Sequence, residues 1–147
     1  MAEPLSGLLS PALEEEFAAP YVREVIAAVQ DDSFAVIYHN CGLNTSKMIP
    51  SLSSNGAAAY HFGDAVQLTD LLVGMPADRP VMGNISPSAQ FLGGTSDSMT
   101  IAVRELLGKC AGYKNFVLSS GCDIPPASSW DNIRAFFAAS ADFYANH

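Results

Sequence analysis

One histidine and two cysteines stand where they could bind a metal together. His39 and Cys41 follow an apolar run, residues 34–38, and Cys122 ends a similar run, residues 116–121. An imidazole and two thiolates are good ligands for zinc, and three protein ligands leave the fourth tetrahedral position open, as in catalytic zinc sites. We therefore predict a zinc site that activates a thiol. The alternative is a pair of ordinary buried cysteines beside a hydrogen-bonded histidine, because a single His-x-Cys is weak evidence.

The composition is that of a globular domain. The chain has 147 residues, of which 49% are hydrophobic and 15% charged. This length suits one domain with a core of its own, so we expect a single domain over residues 1–147. The net charge is -8 and the seven basic residues form no patch, which argues against nucleic acid as a partner.

The cysteine count and the hydropathy favour a cytoplasmic protein. Three cysteines do not make a disulfide framework, which indicates a reducing compartment. The first residues lack the basic and apolar regions of a signal peptide. No apolar run approaches the ~20 residues that a membrane span requires, so we expect no membrane partner.

The first long element is a helix over residues 10–30. Ser10 is a suitable N-cap and Pro11 suits the first helical position, while Pro20 should kink or split the helix. The acidic run at residues 14–16 is interpreted as a solvated face. Apolar residues recur at a spacing of three to four, which predicts a buried stripe: Leu13, Phe17, Tyr21, Val25, Ile26 and Val29.

Strands and helices then alternate. Strands are predicted at residues 34–40, 57–62, 80–85 and 116–121, and helices at 67–73, 96–109 and 128–144, with Ile133, Phe136, Phe137 and Tyr144 on the buried side of the last. Residues 1–9 are expected to be a lead-in. Such alternation predicts an α/β fold of parallel strands, with four β/α units preceded by a helix.

Polar or metal-binding side chains stand at the carboxyl ends of all four predicted strands. They are His39 with Cys41, then His61, Asn84 and Cys122. Ligands of parallel α/β folds bind at these strand ends. This coincidence predicts one functional face.

Several stretches together resemble the uroporphyrinogen decarboxylase superfamily. Within it they are most similar to the methylcobamide:coenzyme M methyltransferases and related corrinoid-dependent methyltransferases. The stretches are residues 8–11, 16–21, 39–42, 82–87, 94–95 and 118–126, so the resemblance covers almost the whole chain. The His-x-Cys piece and the Ser-Ser-Gly-Cys-Asp-Ile-Pro-Pro piece are specific to the methyltransferase branch.

The resemblance implies a fold and a ligand set. It implies the C-terminal half of a TIM-barrel-like (β/α) barrel, and zinc held by His39, Cys41 and Cys122. Cys110 matches no ligand position. Because half a barrel has unpaired sheet edges, we expect a homo-oligomer, or pairing with a separate chain that supplies the N-terminal half. The alternative is that the four-stranded sheet closes on its own helices as a compact domain.

The resemblance also implies an activity. A methyl group would move between a corrinoid (methylcobamide), which could be carried by a corrinoid protein, and a thiol or similar acceptor bound to zinc. His61, Asn84 and Asp123 could contact the substrate, or could be only turn-stabilising or surface residues. One alternative is an inactive half-barrel module that binds a corrinoid protein or a full-length relative. Porphyrinogen decarboxylation is disfavoured, since few basic residues are available for a substrate with many carboxylates.

Overall fold

The computed structural model describes residues 1–3 and 5–146 of the chain, so residues 4 and 147 of the expected domain lie outside the described residues. Six α-helices alternate with four strands in this part of the chain. The helices are α1 (Pro11–Phe17), α2 (Ala19–Val29), α3 (Ile49–Ser53), α4 (Leu68–Gly74), α5 (Ser96–Cys110) and α6 (Trp130–Ala145). The strands are β1 (Ile37–Asn40), β2 (Ala59–Phe62), β3 (Val81–Ile85) and β4 (Phe116–Ser120).

The four strands form one parallel sheet in the order β1-β2-β3-β4. Each strand therefore lies beside the next in sequence, as successive β/α units of a barrel do. The predicted α/β class, the parallel strands and the half-barrel arrangement are confirmed. The register places His39 opposite His61, and Asn84 opposite Ser119.

Side-chain caps begin three of the six described α-helices. Ser10 caps α1 by accepting from the backbone N–H of Leu13, and Thr95 forms a capping box with Ser98 at the start of α5. The predicted first helix divides at Ala18 into α1 and α2, with Pro20 in the first turn of α2. Between the third strand and the helix that follows it, Pro87–Leu92 forms a short π-helical segment.

The first residues are more than a lead-in. The backbone of His39 in β1 makes two hydrogen bonds to this segment. Its N–H donates to Met1 O at 2.8 Å, and its carbonyl oxygen accepts from Glu3 N at 2.9 Å. Ala2 forms a parallel bridge with His39. This segment therefore covers the carboxyl-terminal part of the β1 edge.

The core lies on one face of the sheet, under the helices. Tyr38, Tyr60, Phe62 and Val81 from the strands are each 0–1% exposed, and a second cluster joins β4 with α5 and α6. The opposite face is open, since Ile37 remains 47% exposed. Parallel sheets are normally covered on both faces, so this uncovered face is unusual.

The prediction of a buried apolar stripe on the first helix was largely wrong. Only Ile26 of the six residues is buried, and the other five are 43–63% exposed. The helix instead packs through Ala19, Val22 and Ile26. The periodic pattern identified an apolar face correctly, but no described residue covers most of it.

Two further expectations on burial need correction. Phe136 is buried on α6 as predicted, but Phe137 is 66% and Tyr144 is 55% exposed. Glu14, assigned to a solvated face, is only 2% exposed. The Ser51 side chain partly offsets the effect of this burial on the carboxyl group, and Glu14 Oε2 has no hydrogen-bond partner among the described residues. One carboxylate of the acidic run therefore faces inward.

A search for membrane-spanning segments gave a negative result. Among the described residues, no helix has both the length and the apolar character needed to cross a bilayer.

Candidate metal centre

The structure brings His39, Cys41 and Cys122 together at the carboxyl end of the sheet. One ligand atom from each lies within 4.8 Å of the others, and all three side chains are half-buried. The His39 Nε2 and the Cys122 Sγ are 3.5 Å apart. Residues 83 positions apart in sequence thus meet because β1 and β4 deliver their carboxyl ends to one edge.

The ring of His39 is held with Nε2 toward the thiols. Its Nδ1 lies 3.1 Å from the main-chain carbonyl oxygen of His61, and a carbonyl only accepts, so Nδ1 carries the proton in this contact. Nε2 then has its lone pair free. Burial, together with the nearby His61 ring, holds the pKa of His39 below its ordinary value, which favours the neutral form that binds metals.

Cys41 stands on a turn that a buried amide fixes. Asn40 is fully buried and its Oδ1 accepts from Gly42 N at 2.9 Å and from Thr45 Oγ1 at 2.7 Å. Its Nδ2 donates to Ser6 Oγ at 2.7 Å. Both ends of the amide are therefore satisfied, and the backbone on either side of Cys41 has little freedom.

Two glycines allow the site loops to pack closely. A Cβ on Gly63 would lie 2.6 Å from the Cα and Cβ of Cys41, and one on Gly121 would lie 2.7 Å from Asp64 N. The Gly121 N–H also donates to Ile85 O at 2.7 Å. The loops after β1, β2 and β4 are thus in backbone contact, which brings Cys122 to the other two ligands.

Electrostatics keep one thiol protonated in the absence of a cation. Burial, followed by the neighbouring Cys122 thiol, raises the pKa of Cys41. Two adjacent thiols cannot both ionise easily without a positive charge between them. A metal cation supplies that charge and takes up both thiolates.

The donor set and its spacing fit zinc. Zinc bonds of about 2.3 Å to sulfur and about 2.05 Å to nitrogen place tetrahedral nitrogen and sulfur ligands about 3.6 Å apart. The separation of 3.5 Å between His39 Nε2 and Cys122 Sγ agrees with this value. The carbonyl behind His39 Nδ1 is the usual support for a zinc-bound imidazole.

An open cavity of about 400 Å³ lies beside the three ligands. Its lining includes His39, Cys41 and Cys122, together with His61, Asp123 and the apolar side chains of Met1, Ala2 and Ile37. Among the residues the structure describes, no Lys or Arg belongs to this lining. The fourth position of a metal held here would face this space.

The other predicted residues occupy different places. His61 and Asp123 line the cavity, so their contact with substrate stays a prediction. Asn84 donates through Nδ2 to Gly63 O and Val66 O at 2.9 and 2.8 Å, which gives it a role in holding the loop after β2. Cys110 is fully buried in the core, away from the metal centre.

The residues that support His39, Cys41 and Cys122 were not among the predicted site residues. Asn40 was visible between His39 and Cys41, and an Asx residue before a Gly turn is a known loop signal. Gly63 was not among the predicted site residues. Nothing in the sequence indicated that its missing side chain makes room for Cys41.

The fold and the site can now be compared with known proteins. The sequence matches the uroporphyrinogen decarboxylase (URO-D) family model over residues 1–143. The chain belongs to the URO-D family. The expected family is confirmed by this match.

Individual relatives are more distant and longer. The uroporphyrinogen decarboxylase of Prochlorococcus marinus (strain NATL2A) is 29% identical over 142 residues, covering 95% of this chain and 39% of the relative. The enzyme of Synechococcus sp. (strain CC9605) is 28% identical, with the same coverage. The chain thus spans about two fifths of the length of these curated relatives.

A solved structure has the same fold. A methyltransferase from Methanosarcina mazei superposes with a TM-score of 0.82 and 22% sequence identity, covering 98% of this chain and 41% of that chain. This likeness supports the half-barrel architecture. At 22% identity this likeness shows a shared fold, but it does not show a shared activity.

Proposed function

We propose that this chain carries the zinc-binding part of a corrinoid-dependent methyltransferase site. There a methyl group moves between a methylcobamide and a thiol or similar acceptor. The observation that carries the proposal is the convergence of His39, Cys41 and Cys122 within 4.8 Å beside an open cavity.

The three residues would hold the zinc ion, and each has a defined task. Zinc supplies a Lewis acid that stabilises an acceptor thiol as its thiolate. His39 offers Nε2 because its Nδ1 is committed to the His61 carbonyl. Cys41 and Cys122 give up their protons on metal binding.

The proposed transfer needs no oxidant, reductant or other co-reactant. With a methylcobamide as donor and a thiol as acceptor, a sulfur–carbon bond would form as the cobalt–carbon bond breaks. The electron pair of that bond would stay on the corrinoid, and the thiol proton of the acceptor would leave to water. The chain's part is to bind and orient the acceptor. Met1, Ala2 and Ile37 give part of the cavity lining an apolar character.

The porphyrinogen decarboxylase chemistry of the named relatives is less well supported. A substrate with several carboxylates needs cationic partners, and the described lining of the cavity has none. Four of the seven basic residues are instead in ion pairs with nearby carboxylates: Arg23, Arg79, Arg104 and Arg134.

The remaining alternative is a binding module without activity. It is favoured by one observation, that the chain spans only about two fifths of its relatives, so much of a family pocket would come from elsewhere. In this case the chain would bind a corrinoid protein or a full-length relative. Cys122→Ser separates the two functions, since it should abolish transfer but leave such binding intact.

The uncovered sheet face leads to a proposal about assembly. Apolar side chains are exposed at both ends of the sheet, with Phe34 at 56% and Ile37 at 47% beside β1, and Val117 at 43% on β4. We propose that a second copy of this chain covers the face and pairs with the open β4 edge. A sedimentation run should give twice the mass of the chain. A stable monomer at micromolar concentration would contradict this, and a complex formed only with an N-terminal half-barrel chain would identify a different occupant.

The first test of the zinc site is metal content. Protein purified without added metal should contain about one zinc per chain, as a three-ligand site predicts. Cys41→Ser and Cys122→Ser should lose the zinc, whereas Cys110→Ala, which changes a buried cysteine outside the site, should keep it. A folded protein without zinc would refute the proposal.

The second test is transfer. Methyl transfer from free methylcobalamin to a small thiol can be followed by the change in corrinoid absorbance. Activity that depends on zinc and is lost in Cys122→Ser supports the methyltransferase. Zinc binding without any transfer, in the presence of a supplied N-terminal half, would favour the binding module.

A further inference from the structure

We infer that His61 is a positioning residue that holds both sides of the metal site, through its carbonyl on His39 and through its imidazole on the backbone leading to Cys122. The inference rests on the proposed zinc site. It assigns His61 a task other than contact with substrate.

The first contact orients His39. The His61 carbonyl oxygen lies 3.1 Å from His39 Nδ1, and the two imidazole rings are 4.7 Å apart between centroids. The parallel register, which places His39 directly opposite His61, produces this arrangement. One contact fixes the tautomer of His39, and the second limits the rotation of its ring.

The second contact crosses the sheet. The Nε2 of His61 lies 2.7 Å from the carbonyl oxygen of Ser120, although β3 separates β2 from β4 in the strand order. Neighbouring strands are about 4.8 Å apart, so only a long side chain can reach from β2 to the β4 backbone. Since a carbonyl cannot donate, His61 Nε2 carries the proton here.

The acceptor precedes the third ligand by two residues. Ser120 ends β4, and beyond it Gly121 N donates to Ile85 O. The His61 ring and this backbone bond therefore hold the turn that presents Cys122. Removing the His61 ring would remove the bond to Ser120 O and leave the bond from Gly121 N to Ile85 O. His61 thus links the strand that carries His39 and Cys41 to the strand that carries Cys122. These two strands, β1 and β4, are not neighbours in the sheet.

Substitutions of His61 test the role of its ring while its main-chain carbonyl stays in place. His61→Leu keeps the main-chain carbonyl toward His39 and the side-chain bulk, but removes the donor to Ser120. His61→Gln restores an N–H donor at a similar reach. Ser119→Ala is the matched control, because Ser119 Oγ lies 3.4 Å from His61 Nε2 and its loss leaves the Ser120 acceptor in place.

The measurement is metal affinity, read by chelator competition with zinc and by the absorption spectrum of the cobalt(II)-substituted protein. His61→Leu should weaken zinc binding about 10- to 100-fold, the range found when a supporting group of a metal ligand is removed, and should shift the sulfur-to-cobalt charge-transfer band. His61→Gln should recover most of the affinity and the wild-type spectrum. Ser119→Ala should match the wild type.

The outcomes distinguish this inference from the proposed function. If the wild type binds zinc and His61→Leu binds equally well with an unchanged cobalt spectrum, His61 has no positioning role and the zinc proposal survives. If the wild type binds no zinc, both are overturned. Should His61→Leu fail to fold, His61→Asn, which is too short to reach Ser120, replaces it, and equal affinity of the Asn and Gln variants would overturn the inference.

Discussion

Gly63 and Cys41 are in such close contact that no side chain fits between them. A Cβ on Gly63 would lie 2.6 Å from both the Cα and the Cβ of Cys41, far inside van der Waals contact. The glycine therefore sets the distance between the loops that follow β1 and β2, and with it the location of the Cys41 thiol.

Gly63→Ala should consequently disturb the metal site more than the fold. Overpacking against backbone atoms typically costs about 1–3 kcal/mol of unfolding free energy, and the displaced Cys41 should lower the affinity for zinc. Urea unfolding and chelator competition measure the two effects. Gly108→Ala in α5 is the control, since a Cβ there meets nothing within 4 Å; it should leave zinc affinity unchanged and stabilise the helix by up to about 1 kcal/mol. Equal zinc affinity in both variants would refute the steric argument.

Zinc should protect two of the three cysteines from alkylation. Cys41 and Cys122 are half-buried and Cys110 is fully buried. In metal-free protein, iodoacetamide should therefore label the first two and spare Cys110. Added zinc should suppress their labelling, because the thiolates become metal ligands. Mass spectrometry of the tryptic peptides gives the labelling of each site, and labelling of Cys41 or Cys122 at the same rate with and without zinc would exclude that residue as a ligand.

The fully buried amide of Asn40 supports a prediction about the Cys41 turn. Asn40→Ala leaves the Gly42 N–H and the Thr45 hydroxyl without their shared acceptor. A buried polar group without a partner costs about 1–3 kcal/mol, so the variant should be destabilised by that amount and should bind zinc more weakly. Asn146→Ala, at the exposed end of α6, should change the unfolding free energy by less than about 0.5 kcal/mol. Chemical denaturation of the two variants compares them, and equal stabilities would contradict the role of Asn40.

The sequence predicted the order of elements well because each signal was local. Strands and helices alternate with clear apolar runs, and Ser10 caps its helix as expected. The convergence of His39, Cys41 and Cys122 was also predictable, since parallel strands bring their carboxyl ends to one edge and these residues stand at such ends. Their mutual distance was not, because it depends on backbone contacts at glycines.

Which side chains are buried was predicted less well than the order of the helices and strands. A periodic pattern tells which side of a helix is apolar but not what lies against it. Tyr21 remains 63% exposed although it follows the pattern, because α2 turns the adjacent face, with Val22 and Ile26, toward the sheet. Likewise, an acidic run gives no sign of which carboxylate faces inward, and Glu14 is only 2% exposed.

Glu14 also supports a prediction about pH. The pKa of this carboxyl group is raised above its ordinary value of 4.5, and burial is the largest cause. The folded protein therefore retains the Glu14 proton at pH values where the unfolded chain has already lost it. Stability from this group is complete below the unfolded pKa and falls as the pH rises toward the folded pKa.

Glu14→Gln should remove that loss, because a neutral amide of the same shape does not ionise. Urea unfolding of both proteins from about pH 4 to about pH 7 should give a stability difference that shifts steadily in favour of the variant as the pH rises. Glu16→Gln, on the exposed side of the same helix, is the control and should run parallel to the wild type. A difference for Glu14→Gln that is constant with pH would mean that the carboxyl group ionises equally in the folded and unfolded chains, and that its burial against Ser51 carries no electrostatic cost.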